Sequence, residues 1–484
     1  MKTLSAPYSE RDMASQLARQ CRPARTYSNN MEKTDDTDRL RIDAGWVIPM
    51  DANDQVLEEH TLIIAKGRIV DCLPWHDADK RYPDYRVENR RTGILMPGLI
   101  NAHTHLAMNL LRGYADDTPL NEWLEQHIWP TENTHMSPDF VQQGTELALA
   151  ECLLNGVTTV NDMYFYPDVV ARTCREAGMR ATVGILVFDF PTAWASSVDE
   201  YFSKGLALHD SLRGDPLISA AFAPHAPYTV SQAPLERIAT LASELDLPIH
   251  MHVHETAGEV EQFEKTHGVR PIQRLDEIGM LSPSLLAVHL TQLTDVEISR
   301  LAETGVHAIH CPESNMKLAS GVCPIPDLLD ASINIAVGTD GAASNNDLDL
   351  IGELRSAAFL AKVLNADAST LPVMRALRMI TIDAAKALGR DSEIGSLEPG
   401  KAADCIVIEP DLGMLPIYNA ASQVLYTNSS RCVTDVWVAG KPLLQHRQLQ
   451  TLDVEQLQLN AQNWTVRISG AANRQPARKK RSGC

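Results

Sequence analysis

The stretch Pro97-Gly98-Leu99-Ile100-Asn101-Ala102-His103-Thr104-His105 is an apolar run that stops on two imidazoles. Side chains on a strand alternate between faces, so His103 and His105, two residues apart, point the same way and can reach one ion. Imidazole nitrogen suits zinc or iron at neutral pH. A bare His-x-His is a weak motif, and it gains weight here because later apolar runs also end in histidine or aspartate. Eight runs of strand length alternate with amphipathic stretches of helix length: Leu95 to His105, Thr158 to Met163, Ala181 to Phe188, Ile218 to His225, Pro248 to His254, Leu285 to Leu290, Val306 to Cys311 and Ile333 to Asp340. Such alternation predicts repeated βα units, parallel strands buried on both faces, and an α/β chain built as a (β/α)8 TIM-like barrel. In a barrel the chemistry sits at the C-terminal ends of the strands, where polar residues interrupt these runs.

Outward from the barrel, the flanks have a different texture. Ala44 to Pro49 and His60 to Ile69 read as short strands punctuated by Asp51-Ala52-Asn53-Asp54 and Lys66-Gly67, and Ala403 to Ile408 and Cys432 to Val438 repeat the pattern near the other end. The two flanks are expected to pair into one small discontinuous β-sandwich domain, residues 38–95 with 396–450, around a barrel of residues 96–395. Residues 1–37, polar and of mixed charge, read as a flexible extension within which Met31 is a second candidate start. Residues 451–484 read as a helix and a basic tail from Arg474.

The chain of 484 residues is long enough for a barrel of ~250 residues and a smaller partner. Its net charge of -19 argues against a broad nucleic-acid or anionic-membrane surface and suits a small neutral or cationic substrate. Nine scattered cysteines form no Cys-x-x-Cys pair and read as reduced thiols; no apolar run reaches the ~18 residues of a membrane span. The cytoplasm is the expected compartment.

The fifth run, Ile249-His250-Met251-His252-Val253-His254-Glu255, places three histidines on one face, so alternation alone cannot select a ligand. The sixth ends in His289 and the eighth in Thr339-Asp340-Gly341. A carboxylate behind so apolar a strand is expensive unless it meets a cation or a donor. Each residue also has a plainer reading: Glu255 as a solvated helix start, His289 and His225 as satisfied core histidines, Asp340 as a helix cap.

The order of His-x-His, His-x-x-Glu, a lone His and Thr-Asp-Gly resembles the metal-dependent amidohydrolase superfamily from about Arg39 to Gln450. The segments beginning Asn155-Gly156-Val157-Thr158, Ala223-Pro224-His225-Ala226, His252-Val253-His254-Glu255 and His310-Cys311-Pro312-Glu313 resemble its 5'-methylthioadenosine/S-adenosylhomocysteine deaminase branch. The resemblance implies one zinc per subunit, with iron(II) as the other metal it allows, on His103, His105, His252 and Asp340. His-x-x-Glu picks His252 with Glu255. Two-metal relatives use a lysine at the end of the fourth strand; here that place has His225, with no lysine between Pro216 and Tyr228.

The resemblance further implies that Glu255 donates a proton to the ring nitrogen beside the reacting carbon, that Asp340 shuttles the proton of the attacking water, and that His289 orients the attacking oxygen. Glu132 and His225 would hold the ribose hydroxyls, although Glu132 also reads as an exposed charge near a helix start. Some relatives that accept S-adenosylhomocysteine carry an arginine soon after Gly-Met-Arg; here Gly178-Met179-Arg180 is followed by Ala181-Thr182-Val183-Gly184-Ile185, which favours 5'-methylthioadenosine. A homo-oligomer that binds a small nucleoside, and neither nucleic acid nor membrane, is the expected assembly. The competing readings are an amidohydrolase acting on guanine, a pterin, cytosine or a chloro-triazine, and a non-catalytic barrel scaffold.

Overall fold

The computed structural model describes residues 39–472, so the N-terminal extension with Met31 and the basic tail from Arg474 lie outside the described residues. The chain begins with β1 (Arg39–Val47), β2 (Leu57–Ala65), β3 (Arg68–Pro74) and β4 (Arg86–Pro97). Eight strands of the barrel follow: β5 (Leu99–Thr104), β6 (Val157–Asp162), β7 (Arg180–Val187), β8 (Ile218–Pro224), β9 (Ile249–Val253), β10 (Leu285–His289), β11 (His307–His310) and β12 (Ile335–Val337). The chain then returns through β13 (Cys405–Ile408), β14 (Val433–Val438), β15 (Lys441–Gln445) and β16 (Gln448–Leu449).

β5 to β12 are neighbours in sequence order and all parallel, and β5, β6 and β7 are buried along their whole length, as a strand covered on both faces must be. Helices between the strands start where side chains can satisfy free N–H groups. Ser137 and Ser197 cap the helices Pro138–Leu154 and Val198–Ser211, and Thr256 with Glu259 forms a reciprocal capping box on Ala257–His267. The ring closes at the residues of interest: Thr104 bridges Asp340, and the Asp340 N–H donates to the His103 carbonyl at 3.1 Å.

The flanks form one mixed sheet in the order β16-β15-β14-β13-β4-β1-β2-β3, in which β4 runs parallel to β1 and antiparallel to β13. The expected single run from Leu95 to His105 is therefore two strands in two sheets, divided at Gly98. A side chain at Gly98 would place its Cβ 2.2 Å from Thr158 Oγ1, and the Gly98 N–H donates to the Asp404 carbonyl at 3.0 Å. Both strands are buried on either side of the break, so hydrophobicity alone carries no mark of it.

Arg180, the first residue of β7 and 1% exposed, fastens the barrel to the returning flank. Its guanidinium donates to both Asp404 carboxylate oxygens at 2.8 and 3.2 Å, to Glu393 at 3.1 Å and to the Pro216 carbonyl at 2.8 Å. At the chain's far end the helix Val454–Ala472 lies on Pro138–Leu154, where Trp464 Nε1 donates to Gln143 Oε1 at 2.8 Å and its ring meets Phe140 edge-on. Among the described residues no helix is long and apolar enough to cross a membrane.

Candidate active site

His103, from β5, is fully buried, and His105 follows one residue past the strand end. Their Nε2 atoms each lie 3.2 Å from Asp340 Oδ1, and His252 Nε2, from β9, is 3.3 Å from His103 Nε2. Zinc bonds to nitrogen and oxygen are ~2.0–2.2 Å long, so the edges of a tetrahedral set run to ~3.3–3.5 Å. These three of the six edges are close to that length, His252 joins the other donors through His103, and a set of three imidazoles and one carboxylate is one zinc accepts. His289, at the end of β10, brings another nitrogen within 4.8 Å of those of His103 and His252.

The backbone bends to make this convergence. His289 (φ 78°), Leu290 (φ 50°) and Asp340 (φ 60°) all adopt the left-handed region that non-glycine residues avoid, each at ~1–3 kcal/mol. Surrounding bonds hold them there. Asp340 Oδ2 accepts from Ser314 at 2.7 Å and Ser344 at 3.0 Å, and its Oδ1 also accepts the Gly341 N–H at 2.8 Å. Burial acts to raise the Asp340 carboxyl, but bonds from His103 and His105 outweigh it and hold it well below the usual range. Burial pulls His103 down to about 4, whereas for His105 the contact with Asp340 outweighs burial and pushes the ring up to about 9.

Glu255 sits just past β9, 8% exposed. Its N–H donates to Glu259 Oε2 at 3.0 Å and its carbonyl accepts from Thr291 Oγ1 at 2.7 Å, which fixes the peptide and aims the carboxyl inward. Burial, reinforced by the Asp340 charge, pushes this carboxyl up to about 8. Its Oε2 lies 3.7 Å from His289 Nε2.

His105, His252, Glu255, His289 and Asp340 line a cavity together with Met108, Trp123, Trp129, Phe188 and Leu318, and Glu132 and His225 line it too. Glu132, on the helix Trp129–His135, is buried and accepts from the Tyr164 hydroxyl at 2.6 Å; burial pushes its carboxyl up to about 7. Burial draws His225 down to about 3, and its ring packs on Phe188 and beside His252. Beyond Glu132 a second cavity opens between Met136, Phe165, Phe188 and Phe190, and among the described residues no lysine or arginine lines it.

Of the eight residues singled out from sequence, seven line one cavity and the eighth, His103, is fully buried with its Nε2 beside Asp340 and His252; the residues that brace them are ones the sequence reading missed. Ser314, Asn315, Tyr164 and Thr291 lie in or next to the quoted motifs, yet nothing in their spacing tells a brace from a surface hydroxyl. His250 and His254 turn elsewhere: His250 Nε2 meets His103 Nδ1, and His254 Nε2 accepts the Ile272 N–H at 3.4 Å.

A family model described as the amidohydrolase family matches residues 94–443. A protein of Teredinibacter turnerae named 5-methylthioadenosine/S-adenosylhomocysteine deaminase is 46% identical over 88% of this chain and 97% of its own length. One of the same name from Saccharophagus degradans is 47% identical over 89% and 96%. Among solved structures, an adenosine deaminase from Xanthomonas campestris with bound zinc superposes with a TM-score of 0.88 at 51% identity, covering 89% of this chain and 98% of that one.

Proposed function

The chain belongs to the amidohydrolase family, and from that premise we propose a zinc-dependent deaminase of adenine nucleosides that converts 5'-methylthioadenosine and water to 5'-methylthioinosine and ammonia. It is a metal-dependent hydrolase acting on C–N bonds. The observation that carries the substrate reading is that two donor triads, His103 with His105 and Asp340 and His103 with His252 and His289, meet at His103 beside a buried carboxyl, Glu255, which burial pushes up to about 8.

In this reading His103, His105, His252 and Asp340 hold one zinc. When bound, the ion supplies the Lewis acidity that yields hydroxide from water near neutral pH. Glu255 gives its proton to the ring nitrogen next to C6, without which that carbon is a poor electrophile. Asp340, its Oδ2 held by two serine hydroxyls, takes the proton shed by the attacking water and passes it to the departing amino group, which leaves as ammonia, while the proton left on the new hydroxyl returns to Glu255 as the carbonyl forms. His289, with its Nδ1–H held by Asn315, turns Nε2 to the cavity and orients the attacking oxygen.

Glu132 and His225 bond the ribose hydroxyls, which directs the 5' substituent into the aromatic cavity beyond Glu132. An apolar methylthio group gains from burial there, whereas the carboxylate of S-adenosylhomocysteine would lose water and meet no cation. We also propose a cytoplasmic homo-oligomer that binds neither nucleic acid nor membrane. The seven described cysteines are free thiols, which suits a reducing compartment, and light scattering tests the assembly.

The test is a panel of 5'-methylthioadenosine, S-adenosylhomocysteine, adenosine, guanine and a chloro-triazine, followed by ammonia and chloride release with the zinc-loaded enzyme. The highest kcat/KM is expected for 5'-methylthioadenosine. Preference for guanine or the triazine contradicts the substrate reading, and no turnover of any substrate contradicts the deaminase itself.

A further inference from the structure

The imidazoles of the site are each oriented through the nitrogen that faces away from the donor cluster. The Nδ1–H of His105 donates to the Met163 carbonyl at 2.5 Å, that of His252 to the His225 carbonyl at 2.8 Å, and that of His289 to the Asn315 side-chain carbonyl at 2.9 Å. A carbonyl oxygen only accepts, so these three rings carry hydrogen on Nδ1, and in the neutral form that ligates a metal each turns a bare Nε2 to the cavity. His103 departs from this pattern. Its Nδ1 lies 2.7 Å from Nε2 of another imidazole, His250, and an imidazole can donate or accept. The hydrogen between the two nitrogens therefore decides whether His103 Nε2 offers a lone pair or an N–H.

We infer that His250 is a positioning residue that accepts the Nδ1–H of His103 across the barrel and so keeps His103 Nε2 bare for the metal, an inference that rests on the zinc reading above. His250 lies two residues before His252 on β9, ~6.6 Å lower along the strand. The His103 ring spans the two levels, with Nε2 among the donors and Nδ1 on His250. The His250 ring is fully buried, and its Nδ1 has no partner among the described residues, so the bond to His103 is the polar contact that the ring makes. In the opposite arrangement His250 donates, His103 carries hydrogen on Nε2, and that N–H points at the space between Asp340 and His252, where it shuts out an ion. A glutamine at position 250 presents an amide oxygen near the place of Nε2 and can accept in its stead; a leucine cannot.

Zinc affinity is measured by competition with a chromophoric chelator for the parent, His250→Gln, His250→Leu and His252→Ala. His250→Gln is expected within about threefold of the parent, and His250→Leu weaker by ~10–100-fold. His250→Leu holding zinc as tightly as the parent overturns the inference. Undiminished binding by His252→Ala instead overturns the zinc reading beneath it, so the two failures are told apart. A measurement on the unmutated zinc-loaded protein covers the case in which His250→Leu fails to fold. In histidine-selective 15N spectra His250 is expected to carry hydrogen on Nδ1, and finding it on Nε2 overturns the proposal.

Discussion

Among single residues, the proposed reaction needs a proton on Glu255 and a charge on Asp340, and the same burial produces these opposite outcomes because their partners differ. Glu255 meets little that favours its anion and is pushed up to about 8; Asp340 is surrounded by donors and held low. Glu255→Gln is expected to keep bound zinc near the parent level while lowering kcat by at least ~10²-fold, read by metal analysis beside steady-state rates. A donor must carry its proton, so with a raised pKa activity is present below that value and lost as pH rises through it. A bound cation favours the anion, so the descending limb of kcat/KM is expected at or below about 8 and is absent in Glu255→Gln. Tyr164→Phe removes the hydroxyl that holds Glu132 at 2.6 Å. It is expected to raise KM for the nucleoside more than it lowers kcat; an effect on kcat alone contradicts a ribose role for Glu132.

At the scale of elements, strand ends position the site, and much of this was legible. Alternation put His103 and His105 on one side of the chain, and both Nε2 atoms do lie 3.2 Å from Asp340 Oδ1 although His105 follows the end of β5; the apolar run before Asp340 marked a buried carboxylate. Alternation could not choose among His250, His252 and His254, because the three differ in height along β9 rather than in face, and height is set by which strand lies across the barrel. The Gly98 break was invisible for a related reason, since both sides of it are apolar. The closing contact between β12 and β5 leaves no room at Gly338, where a Cβ would sit 2.6 Å from the His103 nitrogen. Gly338→Ala is expected to displace His103 and weaken zinc binding by at least ~10-fold, whereas Gly470→Ala, which meets nothing within 4 Å, leaves it unchanged.

At the scale of the whole molecule, two sheets share one chain, and Arg180 is a main tie between them. Arg180→Met would leave the buried Asp404 carboxylate without its counter-charge. Denaturant unfolding is expected to show a loss of about 3 kcal/mol or more, with zinc content in the folded fraction unchanged. Pairing of the flanks was legible from their matching strand texture, whereas Arg180 was not, because a charged residue at a strand start reads as a solvated end until the partner 224 positions away is known. The proposed reaction stands on one ion shared by residues on or just past β5, β9 and β12. Anomalous diffraction at the zinc edge from crystals of the zinc-loaded protein locates that ion. One peak is predicted, ~2.0–2.2 Å from the Nε2 atoms of His103, His105 and His252 and from an Asp340 carboxylate oxygen. A peak that leaves out His252 or Asp340, or two peaks in the cavity, would contradict it.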